Sequence, residues 1–174
     1  MHMIVTLIAV TLAGLADPTA ETLPGAVNYT RVDATVACGG ATSAEAFPEL
    51  RARGFAAVVN LREAGEAGAD IEGAARAARA SGLRYLHIPL SGRSPSAEPF
   101  DRFLAAMKDP ANSPVYIHCA SANRVGAVWL AKRVLVDGWD EQRALAEAQT
   151  IGLSSPALRD FALDYVRRHG ASRP

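Results

Sequence analysis

The sequence predicts an α/β fold with a mainly parallel central sheet flanked by helices on both faces. Short apolar runs of strand length, at 55–61, 83–90 and 115–117, alternate with segments whose apolar residues recur at helical intervals. The connections between them are short, as strand–helix–strand units require. With 174 residues, nearly half of them apolar, the chain suffices for one domain with a substantial core.

Acids and bases balance at 18 each, so no overall field recruits nucleic acid or an anionic membrane, and neither is expected as a partner. Residues 1–16 include an uninterrupted apolar run from Ile4, the length of a signal-peptide core and short of the roughly 20 residues that span a bilayer. Gly14 and Ala16 are small residues where a signal peptidase cleaves, although no Lys or Arg precedes the run. The expectation is an exported chain, periplasmic or secreted, with no membrane span once mature. A buried first strand and an uncleaved anchor are the alternatives. Nothing in the sequence sets the oligomeric state.

Residues 17–27 are polar with two prolines and read as a linker, which places the folded domain at 28–170. Tyr29 to Cys38 alternates β-branched and aromatic residues loosely, giving one or two short strands ended by a turn at Gly39-Gly40. Thr42 and Glu45 have capping-box spacing for a short helix that carries Phe47 and Leu50 and stops at Gly54, with Pro48 kinking it or moving its start. The run from Phe55 to Leu61 suits a strand buried on both faces. An Ala-rich helix over about Asp70 to Ala80 uses Ile71, Ala74, Ala75 and Ala78 as its ladder and ends at Gly82. Leu83 to Leu90 alternates until Pro89, which disfavours a central position in the sheet. Ser96 caps a helix with Phe100, Phe103, Leu104 and Met107 on one side. Val115-Tyr116-Ile117, after a turn at 109–114, is the expected central strand, and a helix over 124–136 follows it. Asp140 caps a helix bearing Leu145, Ala148 and Gln149, and Ser155-Pro156 opens a last one with Leu158, Phe161, Ala162, Tyr165 and Val166 on one face.

The chemistry concentrates between Val115 and Gly126. A loop that passes from a strand end into a helix start can turn successive backbone N–H groups inward, and the helix N-terminus adds partial positive charge to the same concavity. That is a socket for an oxyanion. Cys119 at its floor is expected to have a depressed pKa, since N–H donors and a nearby guanidinium favour the thiolate. Arg124 can fork onto two oxygens of a tetrahedral anion. The four histidines, His2, His87, His118 and His169, are scattered, so no metal site is expected. Cys38 is read as a small buried residue at a strand end; a single bond to Cys119, acting as a redox latch, is the alternative.

His118-Cys119, five residues and Arg124 resemble the signature of the cysteine-dependent protein tyrosine phosphatases, particularly their compact dual-specificity-like branch. With Val58-Val59-Asn60-Leu61-Arg62, Tyr85 to Pro89 and Arg124-Val125-Gly126, residues 28–152 look like the bacterial phosphatases called beta-lactamase-hydrolase-like. The resemblance implies a protein tyrosine phosphatase-like fold and a phosphatase acting on a phosphorylated protein or small molecule without metal or cofactor. Cys119 would attack phosphorus and form a cysteinyl-phosphate. Arg124 and the backbone amides of Ala120, Ser121, Ala122, Asn123 and Arg124 would hold the equatorial oxygens. His118 would tune the thiolate and orient the loop through backbone hydrogen bonds.

Three positions depart from the family pattern. Ala122 stands where glycine is usual, Val125 where a hydroxyl often helps the sulfur leave, and the loop that usually brings an aspartate acid begins Ser91-Gly92-Arg93. Glu98 is then the candidate proton donor, ahead of Asp101. Arg93 is a candidate for a second anionic group on the substrate. Arg62 either borders the crevice or pairs with Glu63 or Glu66. The competing functional readings are a rhodanese-like sulfurtransferase and a catalytically weak oxyanion-binding pseudophosphatase.

Overall fold

Six short strands, β1 (Thr19–Ala20), β2 (Thr30–Arg31), β3 (Val36–Gly39), β4 (Ala57–Asn60), β5 (Arg84–His87) and β6 (Val115–His118), form one sheet in the order β1-β2-β3-β6-β4-β5. They are seen in a computed structural model that describes residues 17–170. The expected signal peptide, residues 1–16, lies outside the described residues. From β3 to β5 the pairing is parallel, and β1, β2 and β3 add antiparallel neighbours at one edge. β6 sits centrally between β3 and β4, as its apolar run predicts, and every residue of these three strands is buried. β5 is the opposite edge. Pro89 follows it without interrupting a ladder.

Strand alternation sorts the core into two layers. Cys38, Val59 and Ile117 face α3 (Ala97–Lys108), α4 (Asn123–Leu135), α5 (Glu141–Ile151) and α6 (Pro156–Gly170). Ala37, Val58 and Tyr116 face α1 (Ala46–Ala52) and α2 (Ile71–Ala80). α4 is the helix apolar almost all round, and it is buried on every side from Arg124 to Ala131. Arg133 of α4 pairs with Glu147 of α5 at 2.6 Å, and the Trp129 indole N–H donates to the same carboxylate at 2.7 Å. This pairing docks α5 against α4. At Gly126 a Cβ would stand 2.7 Å from the Ala148 carbonyl oxygen and from Leu153, so the close approach requires glycine.

Local signals and packing disagree in several places. Residues 17–27 are not a linker: β1 pairs with β2, Leu23 is 2% exposed and Ala26 bridges Thr42, so the fold already includes Thr19. The Thr42 hydroxyl does not cap α1; it donates to the Gly40 carbonyl at 3.0 Å and meets the Tyr116 hydroxyl at 2.8 Å. Pro48 falls in the first turn of α1, where its missing N–H has no intrahelical partner to lose. In α5 the buried face is Ala144, Ala148 and Ile151, while Gln149 is exposed. Asp140 and Asp70 do cap, accepting from the Arg143 and Gly73 amides at 2.9 and 2.8 Å.

Candidate active site

The carboxyl ends of β3, β4 and β6 meet at one edge of the sheet, and the loop from β6 into α4 closes over them. Cys119 follows β6 directly, and Ala122 is the residue that turns the chain into the helix, with φ +68° and ψ 0°. The left-handed conformation expected for a glycine is therefore adopted by an alanine. Its Cβ is accommodated by Gly152, where a second Cβ would approach it to 3.0 Å. A left-handed alanine costs about 1–2 kcal/mol, against about 0.8 kcal/mol from burying its methyl group. Ala122→Gly is accordingly expected to raise unfolding free energy by about 0.5 kcal/mol, read from the urea midpoint; an unchanged or lower midpoint would contradict a strained loop.

Gly39 and Gly40 hold the other side of the loop, and they are needed for close approach rather than for a turn. A Cβ on Gly39 would lie 2.1 Å from the Tyr116 hydroxyl, and one on Gly40 would lie 2.9 Å from the Ala120 carbonyl oxygen. Neither residue has positive φ. Through this gap the Cys119 amide donates to the Gly39 carbonyl at 3.3 Å, the Ala41 amide donates to the Ala120 carbonyl at 2.8 Å, and Gly40 bridges Ser121. His118 is stacked on Tyr116 with ring centroids 5.8 Å apart. Its ring faces the backbones of Cys119 and Gly40. Complete burial pushes its pKa down to about 4, leaving a neutral ring behind the nucleophile. Both cysteines are free and buried; burial raises the Cys38 thiol well above its ordinary range.

Arg124 lies in the first turn of α4, beside Cys119. Its Nη1 donates to the Leu61 and Leu90 carbonyls at 3.3 and 3.1 Å and to Oε1 of Glu66, while Nη2 donates to Glu66 Oε2 at 2.8 Å. Three segments thus hold one side of the guanidinium, and the Nε edge remains for an anion. Glu66 is itself placed by its loop. Arg62 donates to the Ala67 and Gly68 carbonyls at 2.6 and 3.1 Å and to Glu66 at 3.3 Å, so this arginine is structural, as its ion-pair reading has it. Hydrogen bonding from Arg124, with help from the Glu63 amide and Arg62, lowers the Glu66 pKa to about 2. Glu66 was legible as a partner for Arg62, but its pairing with Arg124 joins residues 58 positions apart and leaves no local pattern.

An open cleft of about 870 Å³ lies over this network. Ser121, Asn123, Arg124 and Arg93 line it together with Glu63, Glu66, Ser91, Ser94 and Ser155. Cys119, Ala122 and His118 are buried beneath it, and Ala120 is exposed at the loop's outer side. The Asn123 side chain ties the loop to the start of α6, accepting from the Ser154 and Ser155 amides at 3.1 Å each, so only its backbone is placed to serve an anion. Val125 is fully buried, and its position supplies no hydroxyl to the sulfur. Glu98 does not line the cleft. It is exposed on α3 and paired with Arg102 at 3.2 Å. Asp101 accepts from the Tyr165 hydroxyl at 2.5 Å in a separate groove between α3 and α6.

Comparison with known proteins agrees with this architecture. A family model described as a DSP-PTPase phosphatase fused to NAD+ kinase matches residues 11–161. A beta-lactamase hydrolase-like protein of Xylella fastidiosa is 29% identical over 150 residues, 82% of this chain, and the chain spans 32% of that protein's length. Among solved structures, a DUF442 protein of Shewanella putrefaciens superposes with a TM-score of 0.71 at 19% identity, over 83% of this chain and 94% of the other. P. aeruginosa TpbA in complex with pTyr does so with a TM-score of 0.64 at 22% identity, over 90% and 91%. At these identities the structural likeness establishes the fold. Because the family model covers most of its length and the cysteine–arginine loop lies within that span, the chain belongs to the DSP-PTPase phosphatase family.

Proposed function

We propose that this chain hydrolyses phosphomonoesters through a cysteinyl-phosphate on Cys119. The observation that carries the reading is the Arg124 guanidinium held against Cys119 by Glu66 and two backbone carbonyls, with its Nε edge unused by them. In the first step the sulfur forms a bond to phosphorus as the ester P–O bond breaks. In the second, water forms the new P–O bond, the S–P bond breaks and orthophosphate leaves. The Arg124 fork and the amides of residues 120–124 stabilise the equatorial oxygens in both steps. Membership of a phosphatase family favours this reading over sulfur transfer.

The cleft walls favour a small polar substrate. Among the described residues lining it are Ser91, Ser94, Ser121 and Ser155 with Arg93, and no aromatic ring that would stack on phosphotyrosine. Arg93 supplies a second cationic contact for a substrate bearing two anionic groups. Rapid mixing of the reduced protein with excess p-nitrophenyl phosphate tests the mechanism, and a burst of one nitrophenol per Cys119 is expected. A parallel phosphate-release screen over phosphopeptides, sugar phosphates and polyol phosphates tests the substrate class. Reduced protein that releases phosphate from none of them, yet converts thiosulfate and cyanide to thiocyanate, would overturn the proposal. The apolar leader at 1–16 supports activity outside the cytoplasm; recovery of the tagged full chain in the cytoplasmic fraction would argue against that placement.

A further inference from the structure

The proposed reaction lacks a proton donor at the position the sequence suggested, and the geometry points to Glu63 in its place. This inference rests on the phosphatase reading and assigns a catalytic residue within the same cleft. Two carboxylates are found among the described residues lining the cleft, Glu63 and Glu66. Glu66 is engaged at both oxygens, by Arg124 and the Glu63 amide at one and by Arg124 and Arg62 at the other, so it is tied into the guanidinium network rather than turned to a substrate. Glu98 is paired with Arg102 outside the cleft, and Asp101 is engaged with Tyr165 elsewhere.

Glu63 differs from all three. Its side chain is exposed and enters no ion pair with a described residue, while its backbone is fixed: its amide donates to Glu66 Oε1 at 2.6 Å, the oxygen that also receives Arg124 Nη1. Glu63 is therefore tethered one carboxylate away from the phosphate-binding guanidinium. The sheet register gives its height above the sulfur. Asn60 pairs with His118, so Leu61 is level with Cys119 across β4 and β6, and Glu63 follows two residues later in the chain. Two residues of chain reach at most about 7 Å, and the Glu63 side chain lines the same cleft as Arg124 and Ser121.

In the first step the carboxylic acid of Glu63 gives its proton to the leaving oxygen as the P–O bond breaks, so the product is a neutral alcohol. In the second, the resulting carboxylate takes a proton from the attacking water as the S–P bond breaks, which restores the acid. Protons and electron pairs balance over the cycle without a further reactant.

Glu63→Gln is the test, because it keeps the backbone amide that orients Glu66 and alters only an exposed side chain. Wild type and variant are compared on 2,4-dinitrophenyl, p-nitrophenyl and phenyl phosphates and on glycerol phosphate. A missing general acid costs nothing when the leaving group departs unaided and the full factor when it does not. In kcat/KM, which reports the first step alone, the variant is expected to stay within about 3-fold of wild type on dinitrophenyl phosphate and to lose on the order of 10²-fold on phenyl and glycerol phosphates. Equal losses on all four esters, or none, would overturn the assignment. Wild type inactive even on dinitrophenyl phosphate would instead remove the phosphatase reading beneath it.

Discussion

Cys119→Ser is expected to lower phosphomonoester turnover by about 10⁴-fold or more while leaving phosphate binding intact. In the proposed mechanism the Cys119 sulfur is the atom that bonds phosphorus, and it sits fully buried under the loop with Arg124 beside it. A serine hydroxyl there would need a base to become a nucleophile. The nearest candidate, His118, stacks on Tyr116 and faces the backbones of Cys119 and Gly40, so no base is supplied. Oxygen for sulfur is a small change in volume, and the loop contacts at Gly39 and Ala41 are made by backbone. Inorganic phosphate should therefore raise the melting temperature of the variant and of wild type alike. Arg124→Lys should do the opposite. A single ammonium cannot hold Glu66, Leu61 and Leu90 and also fork onto an anion, so phosphate stabilisation and turnover should both fall. A serine variant with substantial turnover, or a lysine variant still stabilised by phosphate, would contradict this division of labour.

The second large effect is a two-stage loss of stability in acid. His118 has a folded pKa lowered to about 4 from an ordinary 6.5, so between those values the unfolded chain binds more protons and stability falls as pH falls. Glu66 has a folded pKa of about 2 against an ordinary 4.5; its contribution is full above 4.5 and is lost as pH drops toward 2. The signs agree and the windows nearly abut, so the unfolding free energy should decline from pH 6.5 downward. Each stage is worth on the order of 3 kcal/mol if the shifts are fully realised. Urea titrations at a series of pH values check this. His118→Gln should flatten the slope between 6.5 and 4, and Glu66→Gln the slope below 4.5. Wild-type stability that stays level from pH 6.5 to 4 would refute the buried neutral histidine.

Much of the site was legible because its parts are contiguous. His118, Cys119, the loop and Arg124 occupy one strand-to-helix passage, where the apolar run of β6 and the helical spacing of α4 fix the placement of everything between them. The same locality made the left-handed Ala122 foreseeable. Misreadings came where local chemistry competed with distant packing. Residues 17–27 look like a linker by composition, yet Leu23 is carried into the core by pairing with a strand ten residues on. Thr42 has capping-box spacing, but the Tyr116 hydroxyl, 74 positions away, competes for it.

By itself the sequence determined the class of fold, the central strand and the strand-to-helix loop that carries Cys119 and Arg124, since each is written in periodicity or in a short spacing along the chain. Only the tertiary structure decided which carboxylates reach the site. Glu66 comes from the loop after β4 and meets Arg124, with the Glu63 amide bonded to its Oε1, because β4 lies beside β6 in the sheet, although helices and a strand intervene in sequence. Glu98, much nearer to Arg124 along the chain, is turned outward by α3. Charge acts through space, and strand order sets those distances.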